Sequence, residues 1–466
     1  MMETRRQFLK QLGITAVAAS LPAGFISAAE GLGNKKGSKL KLTNNKVAVS
    51  GTWDVIVVGG GPSGCTAAIA AAREGARTLL IEATGQLGGM GTIGMVPAWC
   101  PFSDGEKMIY RGLAEQVFNR AKKGVPHEPK DKLDWVNINA EYLMRVYDNM
   151  VAEAGAKVLF FSRLAAVEKS GNGTIDAIIV ANKEGLTAYK AKIFIDATGD
   201  GDLAAWAGAE FLKGDRNGVL QDSTLCFAIA NVDIDEWHRG PNLHSDNKNS
   251  PLHKTIDSGR YPLLAHHFCL NQIGPGVLQF NAGHITVDTT NPWAVSDAMV
   301  LGRRIAQQYL EALKETCPGT FANSFVVKTA PALGTRDSRR IIGDYVLTGD
   351  DWRARRTFDD EIGRNCYYLD IHKKDFVPVY YQKGDSHGIP YRCLTPKGFS
   401  NLLTAGRCVS TDDEVFGSLR VMPPCLVTGE AAGMAAAHAI EQHVDVHNVD
   451  IDRLRRRLKE EGQYFL

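Results

Sequence analysis

Asp54-Val55-Ile56-Val57-Val58-Gly59-Gly60-Gly61-Pro62-Ser63-Gly64-Cys65-Thr66-Ala67-Ala68 is the stretch on which the fold turns. A β-branched run leads into three glycines, an alanine-rich stretch continues to Ala72, and the apolar run Thr78 to Ile81 follows. That order reads as strand, tight turn, helix, strand. In Gly59-x-Gly61-x-x-Gly64 the first glycine permits the turn, the second lets backbone approach a pyrophosphate, and the third lets the helix pack close to the strand. The helix start at Pro62 and Ser63 then offers free N–H groups and a positive dipole end to phosphates. Glu82, 23 residues after Gly59, stands where an acidic side chain accepts hydrogen bonds from ribose hydroxyls.

This fingerprint fits a dinucleotide without choosing between NAD and FAD, and three later segments favour FAD. Gly85-Gln86-Leu87-Gly88-Gly89-Met90-Gly91-Thr92 follows Glu82 and suits backbone running beside a long extended ligand. Asp196-Ala197-Thr198-Gly199-Asp200-Gly201-Asp202 ends a second buried strand, where the chain passes the dinucleotide again. Gly406-Arg407 and Arg420-Val421-Met422-Pro423-Pro424 precede a small-residue helix, Pro423 to His438, whose N-terminus would point at the flavin pyrimidine ring. The cofactor-contacting residues expected are therefore Gly59, Gly61, Pro62, Ser63, Gly64, Glu82, Gly88, Gly89, Met90, Thr92, Thr198, Gly199, Asp200, Gly406, Arg420, Val421 and Met422.

Between these segments the pattern predicts helices over 112–122, 140–154 and 293–316. It predicts strands over 158–161, 165–169, 175–182, 186–189 and 193–196. The expected fold is α/β: a Rossmann-type FAD-binding domain with a parallel sheet of βαβ units, into which an α+β substrate or cap domain is inserted. The boundaries expected are 30–204 and 401–466 for the FAD-binding domain and 205–400 for the cap. A closing amphipathic helix, 452–461, turns Leu454 and Leu458 inward.

With 466 residues, 44% hydrophobic and 23% charged, the chain is long enough for two domains and has globular composition. A net charge of +1 supplies no basic footprint for nucleic acid, so a small-molecule substrate is expected. Residues 1–29 carry Arg5-Arg6 ahead of a short apolar run, with Ser27 and Ala29 before Glu30, which predicts a twin-arginine export signal and a mature chain with no stable membrane span. That route carries folded proteins, in keeping with a cofactor inserted before export into the periplasm or another outer compartment. Nine cysteines are scattered with no C-x-x-C pair, which argues against zinc or iron–sulfur ligation, and no metal site is expected.

On Val57 to Gly64, Gly88 to Thr92, Asp196 to Asp202, Gly334-Thr335-Arg336-Asp337-Ser338-Arg339-Arg340-Ile341 and Gly417-Ser418-Leu419-Arg420-Val421-Met422-Pro423, the chain resembles the FAD-dependent oxidoreductase family of bacterial flavoproteins. That family is distantly similar to the flavoproteins of fumarate reductase and heterodisulfide reductase. The resemblance spans roughly residues 50 to 460 and implies FAD bound tightly without a covalent link. Many relatives carry histidines just before the Gly-Ser-Leu-Arg motif, where this chain has Thr411-Asp412-Asp413-Glu414-Val415-Phe416. Asp413 or Glu414 is then either an acid–base group or part of a solvated acidic loop.

Four residues are expected to be catalytic. Arg336 and Arg339 lie in the most unusual charged cluster outside the glycine motifs, Thr335 to Arg340, where a guanidinium fork suits an anionic substrate or the reduced ring. A structural ion-pair corner is the alternative. Among the histidines at 266, 267, 284, 372 and 387, His284 and His387 are favoured because each adjoins a glycine, whereas His438, His443 and His447 read as surface residues. The function expected is hydride transfer between flavin and a small molecule, with direction and electron donor or acceptor open. The alternative is a non-catalytic FAD- or carbohydrate-binding protein.

Overall fold

The computed structural model describes residues 46–466 except 172, 374 and 375; the expected signal segment, 1–29, lies outside the described residues. Strand β1 (Ala48–Val58) lies between β2 (Thr78–Ile81) and β6 (Gly185–Asp196), β3 (Lys157–Leu159) flanks β2, and β15 (Leu402–Thr404) flanks β6. All of these pairings are parallel. On the N-terminal half of β6, β5 (Ile175–Asn182) pairs antiparallel with it and β4 (Arg163–Lys169) with β5. A parallel sheet connected through a β–turn–α–β unit is the Rossmann-type fold expected.

The sequence reading splits β6 in two, whereas the structure keeps it continuous from Gly185 to Asp196. Lys190 and Lys192 interrupt the apolar run yet only mark the exposed face of the strand, and Lys192 pairs with Asp54 at 2.8 Å. Period-2 alternation, not a turn, explains the charges.

The helices are α1 (Pro62–Arg73), α2 (Leu113–Lys122), α3 (Ala140–Glu153), α4 (Pro292–Thr316), α5 (Met422–Gln442) and α6 (Ile451–Glu460). Val55 and Val57 face a core shared with α1 and α5, while Ile56 and Val58 face the opposite core with Leu164, Ile178 and Leu402. α1 and α5 meet at backbone contact. A Cβ on Gly429 would lie 2.1 Å from the Ser63 carbonyl oxygen, and one on Gly433 would lie 2.1 Å from that of Ala67. As expected, α6 buries Leu454 and Leu458.

A second, antiparallel sheet has the order β11 (Phe325–Thr329), β8 (Phe227–Ala230), β10 (Val277–Ala282), β9 (Phe268–Gly274). Its core draws on Phe227, Ile229, Leu278 and Phe280, covered by Ile305, Tyr309 and Leu313 of α4. Further along the chain, Trp352, Ile362, Ile389 and Tyr391 join the first core.

The cysteines are free: six of the nine are buried and the other three partly so, as small core residues. Among the described residues no helix is long and apolar enough to cross a membrane.

Glu430, inside α5, is buried to 1%. Its Oε2 accepts from the Leu113 amide at 3.0 Å and from Gln463 Nε2 at 2.7 Å, so this carboxyl caps the start of α2 in place of a local side chain. Burial pushes its pKa up to about 7. The folded protein therefore holds a proton that the unfolded chain releases above the ordinary value of 4.5, and stability falls as pH rises from there to about 7. Glu430→Gln keeps a carbonyl acceptor for both donors. It is expected to flatten this part of the profile and to stabilise the protein above pH 7 by about 1–3 kcal/mol; parallel thermal melts from pH 5 to 8 check this.

Candidate active site

The three fingerprint glycines occupy three distinct environments. Gly59 has φ +102°, and a Cβ there would meet the Ala197 carbonyl oxygen at 2.4 Å. Gly64 would put a Cβ 1.8 Å from the Gly59 carbonyl oxygen, which fixes the close helix–strand approach. A Cβ on Gly61 meets nothing within 4 Å, so this residue faces open space. The start of α1 has no side-chain cap and no acidic residue in its first turn, which leaves its amides available to an anion. These are the features a pyrophosphate needs, and the residues present fit FAD.

Glu82 Oε2 accepts from the Gly60 amide at 2.7 Å and its Oε1 from the Thr84 amide and hydroxyl, both at 2.7 Å, so the carboxylate also braces the turn. Gly88 (φ +101°) donates its amide to the Gly60 carbonyl, and a Cβ on Gly89 would lie 2.9 Å from Gly61 Cα; this loop lies against the phosphate turn. Met90 accepts from the Val96 amide at its carbonyl, and the buried Thr92 hydroxyl donates to the Leu87 carbonyl at 2.6 Å, so Thr92 shapes the loop from inside.

Buried Asp196 accepts from Thr198 at its amide and hydroxyl and from the Ala204 amide, while burial pushes it up to about 6. Gly199 would place a Cβ 2.9 Å from the Arg407 guanidinium, and Asp200 pairs with Arg407 at 2.8 Å and accepts from Ser338 at 2.6 Å. Gly406 (φ +82°) leaves room for the Ser63 hydroxyl, and Met422 sulfur lies beside Gly91. Val421 begins α5 as its N-cap.

The expected catalytic residues separate. Arg339 donates to Asp202 at 2.8 Å and to the Asp200 carbonyl at 3.0 Å and covers the Phe211 ring, so it lies apart from Arg336 in an ion pair of its own. Arg339→Ala is expected to cost about 1–2 kcal/mol of stability and to leave flavin reduction intact, which melts and reduction rates measure together. His387 is also corrected. It is fully buried in strand β14 (His387–Pro390), bonded at Nδ1 to Tyr381 at 2.8 Å, and burial plus Arg364 push its pKa down to about 3.

Asp412 caps the turn before Phe416 through the Glu414 and Val415 amides, and Glu414 pairs with Arg353. The acidic stretch thus has structural partners. Of the three C-terminal histidines read as surface, His443 is exposed. His438 instead is buried against Glu74 at 3.3 Å, and His447 is half-buried on Asp344 at 2.6 Å.

Arg336 and His284 do come together, with His267, His372, Asp222, Asp370 and Arg420. Arg336 is 7% exposed. It donates to the Asp222 carbonyl (2.8 Å), Thr224 Oγ1 (2.7 Å) and Asn281 Oδ1 (3.2 Å), and its Nη2 lies 3.5 Å from His267 Nε2. All four partners are neutral groups. Burial and the nearby Arg420 charge push its pKa down to about 10.

Arg420 donates to Asp370 at its carbonyl (2.9 Å) and carboxylate (3.1 Å), while its buried Nε has no partner. Asp370 in turn meets His372 Nε2 at 3.2 Å. Burial alone would raise this carboxyl, but His372, Arg420 and Arg336 outweigh it and hold it below the ordinary range. Burial and the Arg336 charge push His284 down to about 4 and His372 to about 3, and push His267 well below its usual value. Three neutral imidazoles and two guanidinium groups therefore share one site at neutral pH. Arg420 ties it to the start of α5, beside the glycine loop that meets Met422.

His267 and His372 are among the five cap histidines of the sequence but are not the two favoured there, and nothing in the sequence points to Asp222 or Asp370. Asp222 precedes β8, His267 directly precedes β9, and Asp370 and His372 follow β13 (Glu361–Asn365), so no spacing rule links them.

Fold and site together define a Rossmann-type, FAD-dependent redox protein. The family model for FAD dependent oxidoreductases matches residues 54–458, and the chain belongs to that family. It is an oxidoreductase whose cofactor is FAD. The chain is similar to digeranylgeranylglycerophospholipid reductase of Picrophilus torridus, 29% identical over 207 residues, covering 40% of this chain and 48% of that one. It is also similar to mitochondrial dihydrolipoyl dehydrogenase of Schizosaccharomyces pombe, 28% identical over 166 residues, covering 34% and 30%. The chain thus spans about half the length, or less, of these curated relatives. Among solved structures, a geranylgeranyl bacteriochlorophyll reductase-like protein from Thermoplasma acidophilum is 17% identical with TM-score 0.47, covering 88% of this chain and 84% of that one.

Proposed function

We propose that this oxidoreductase transfers a hydride between FAD and a small anionic molecule held at Arg336. The observation that carries this reading is a buried guanidinium whose hydrogen-bond partners are all neutral. Asp370 acts on this guanidinium only through space and is itself bonded to Arg420, and a buried charge with no carboxylate bonded to it is costly, so the site favours a ligand that brings a negative charge. Bound FAD supplies the hydride or accepts it.

The chain's own residues do the rest. Arg336 orients the anion, and the Asp370–Arg420 pair sets the edge of the site at the start of α5. A carboxylate-bearing substrate suits the two guanidinium groups, whose planar forks match that shape. An anaerobic screen of small acids and their uncharged amides for loss of the flavin absorbance tests this. Acids are expected to react and their amides not; equal reaction by the amides would sink the proposal.

We further propose that the chain is exported by the twin-arginine route, on the strength of Arg5-Arg6 and the short apolar run after them. Intact mass of the protein from its native host is expected to give a start at residue 30. A start before residue 20 would overturn export with cleavage.

A further inference from the structure

We propose that His267, His284 and His372 form a binding site for a divalent transition-metal ion of the zinc class, with one coordination position left open. The site shares the Arg336 pocket with the anion proposed above.

The geometry begins with the two outer nitrogens. His284 Nδ1 lies 3.7 Å from Asp222 Oδ2, and His372 Nε2 lies 3.2 Å from Asp370 Oδ1. Each carboxylate favours a proton on the nitrogen it faces, and a neutral imidazole has only one proton to place. The opposite nitrogens, His284 Nε2 and His372 Nδ1, then both present lone pairs, and they face each other at 3.3 Å. Two lone pairs at that separation repel unless a cation lies between them.

Two tetrahedral ligands with metal–nitrogen bonds of about 2.0–2.1 Å stand about 3.3–3.4 Å apart, which is the separation found. His267 completes the set, since one ligand atom from each of the three rings lies within 4.8 Å of the others. The carboxylates behind His284 and His372 are the usual way of fixing a ligating ring and its tautomer at a metal; His267 has none and neighbours Arg336.

The charges around the cluster say what fills the fourth position. Asp222 and Asp370 bring two negative charges to balance a dication, whereas Arg336 and Arg420 bring two positive ones. A metal held by three neutral imidazoles beside Arg336 therefore calls for an anionic fourth ligand, and three protein ligands with one open position is the arrangement of catalytic, not structural, zinc. Arg336 keeps its bonds to the Asp222 carbonyl, Thr224 and Asn281 when His267 turns from it to the ion. Nothing in the cysteine spacing bears on this site, because its ligands are all imidazoles.

The test is equilibrium dialysis of the FAD-loaded full chain against Zn²⁺, followed by metal analysis, with Co²⁺ absorbance beyond the flavin bands as a second probe of geometry. One ion per chain is expected, with tetrahedral cobalt absorbance. His284→Ala and His372→Ala should abolish it, and Asp222→Asn should weaken it by about 10- to 100-fold. The exposed pair His253 and His266, 2.9 Å apart, is the adventitious alternative, and His266→Ala should leave the stoichiometry unchanged.

Flavin content and circular dichroism of each variant separate loss of the site from loss of the fold; if an alanine variant fails to fold, His284→Gln and Asp222→Asn carry the comparison. Absence of a stoichiometric ion in the wild-type chain, or an ion lost with His266 and kept with His284→Gln, would overturn the proposal and leave a shared proton between the two rings. Metal binding is read without any substrate, so its failure leaves the anionic-substrate reading standing. Failure of the acid screen likewise leaves the metal result intact.

Discussion

Gly61→Val is expected to give a folded protein without bound flavin. Gly61 has φ −70° and ψ −174°, which any residue adopts, and its Cβ would meet no atom of the chain within 4 Å. The substitution therefore strains nothing in the protein and puts its methyl groups where backbone must approach the pyrophosphate. Gly64→Ala, three residues on, should do the reverse. Its single added carbon meets the Gly59 carbonyl oxygen at 1.8 Å, so strand and helix must part, at a cost of about 3 kcal/mol or more. Flavin absorbance after purification and a thermal melt distinguish the two variants; a Gly61→Val protein with full flavin content would refute the placement of the cofactor.

Arg336→Ala should retain flavin and lose most of its rate of flavin reduction by substrate. Removing one side of a buried, hydrogen-bonded charge pair costs about 2–5 kcal/mol, roughly 30- to 5,000-fold in kcat/KM. Arg336→Lys keeps the charge and loses the fork, so an intermediate loss is expected. The alanine variant also takes a donor from Asn281 and from Thr224, whose hydroxyl keeps its bond to the Gly283 carbonyl, and its flavin content reports whether the pocket holds its shape. Unchanged reduction in Arg336→Ala would remove the anion anchor from the mechanism.

The cofactor half of this protein is legible in its sequence because backbone sterics set it. Gly59, Gly61 and Gly64 each answer a local demand at a fixed spacing, and such demands leave a readable pattern. The reacting half is not legible in that way. His267, His284, Asp370 and Arg420 are single residues brought together from separate stretches of the chain, with no fixed spacing between them. The glycine beside His284 adjoins a residue of the histidine cluster, whereas Gly388, beside His387, lies in strand β14 where a Cβ would meet the Glu361 carboxylate at 2.1 Å. Arg336 and Arg339 look alike in sequence and differ in partner: the hydrogen bonds of one go only to neutral groups, those of the other include the Asp202 carboxylate.

The backbone contact between α1 and α5 sets an order of events in biosynthesis. Ser63 and Ala67 meet Gly429 and Gly433, more than 360 residues later, and Gly406 makes room for the Ser63 hydroxyl. A ribosome that has finished the glycine-rich turn has made only one wall of the cofactor's bed; the opposing wall emerges more than 360 residues later. Flavin loading must therefore wait until the stretch through Gly433 has been made, and fragments released before it will carry the nucleotide signature without the means to retain the nucleotide.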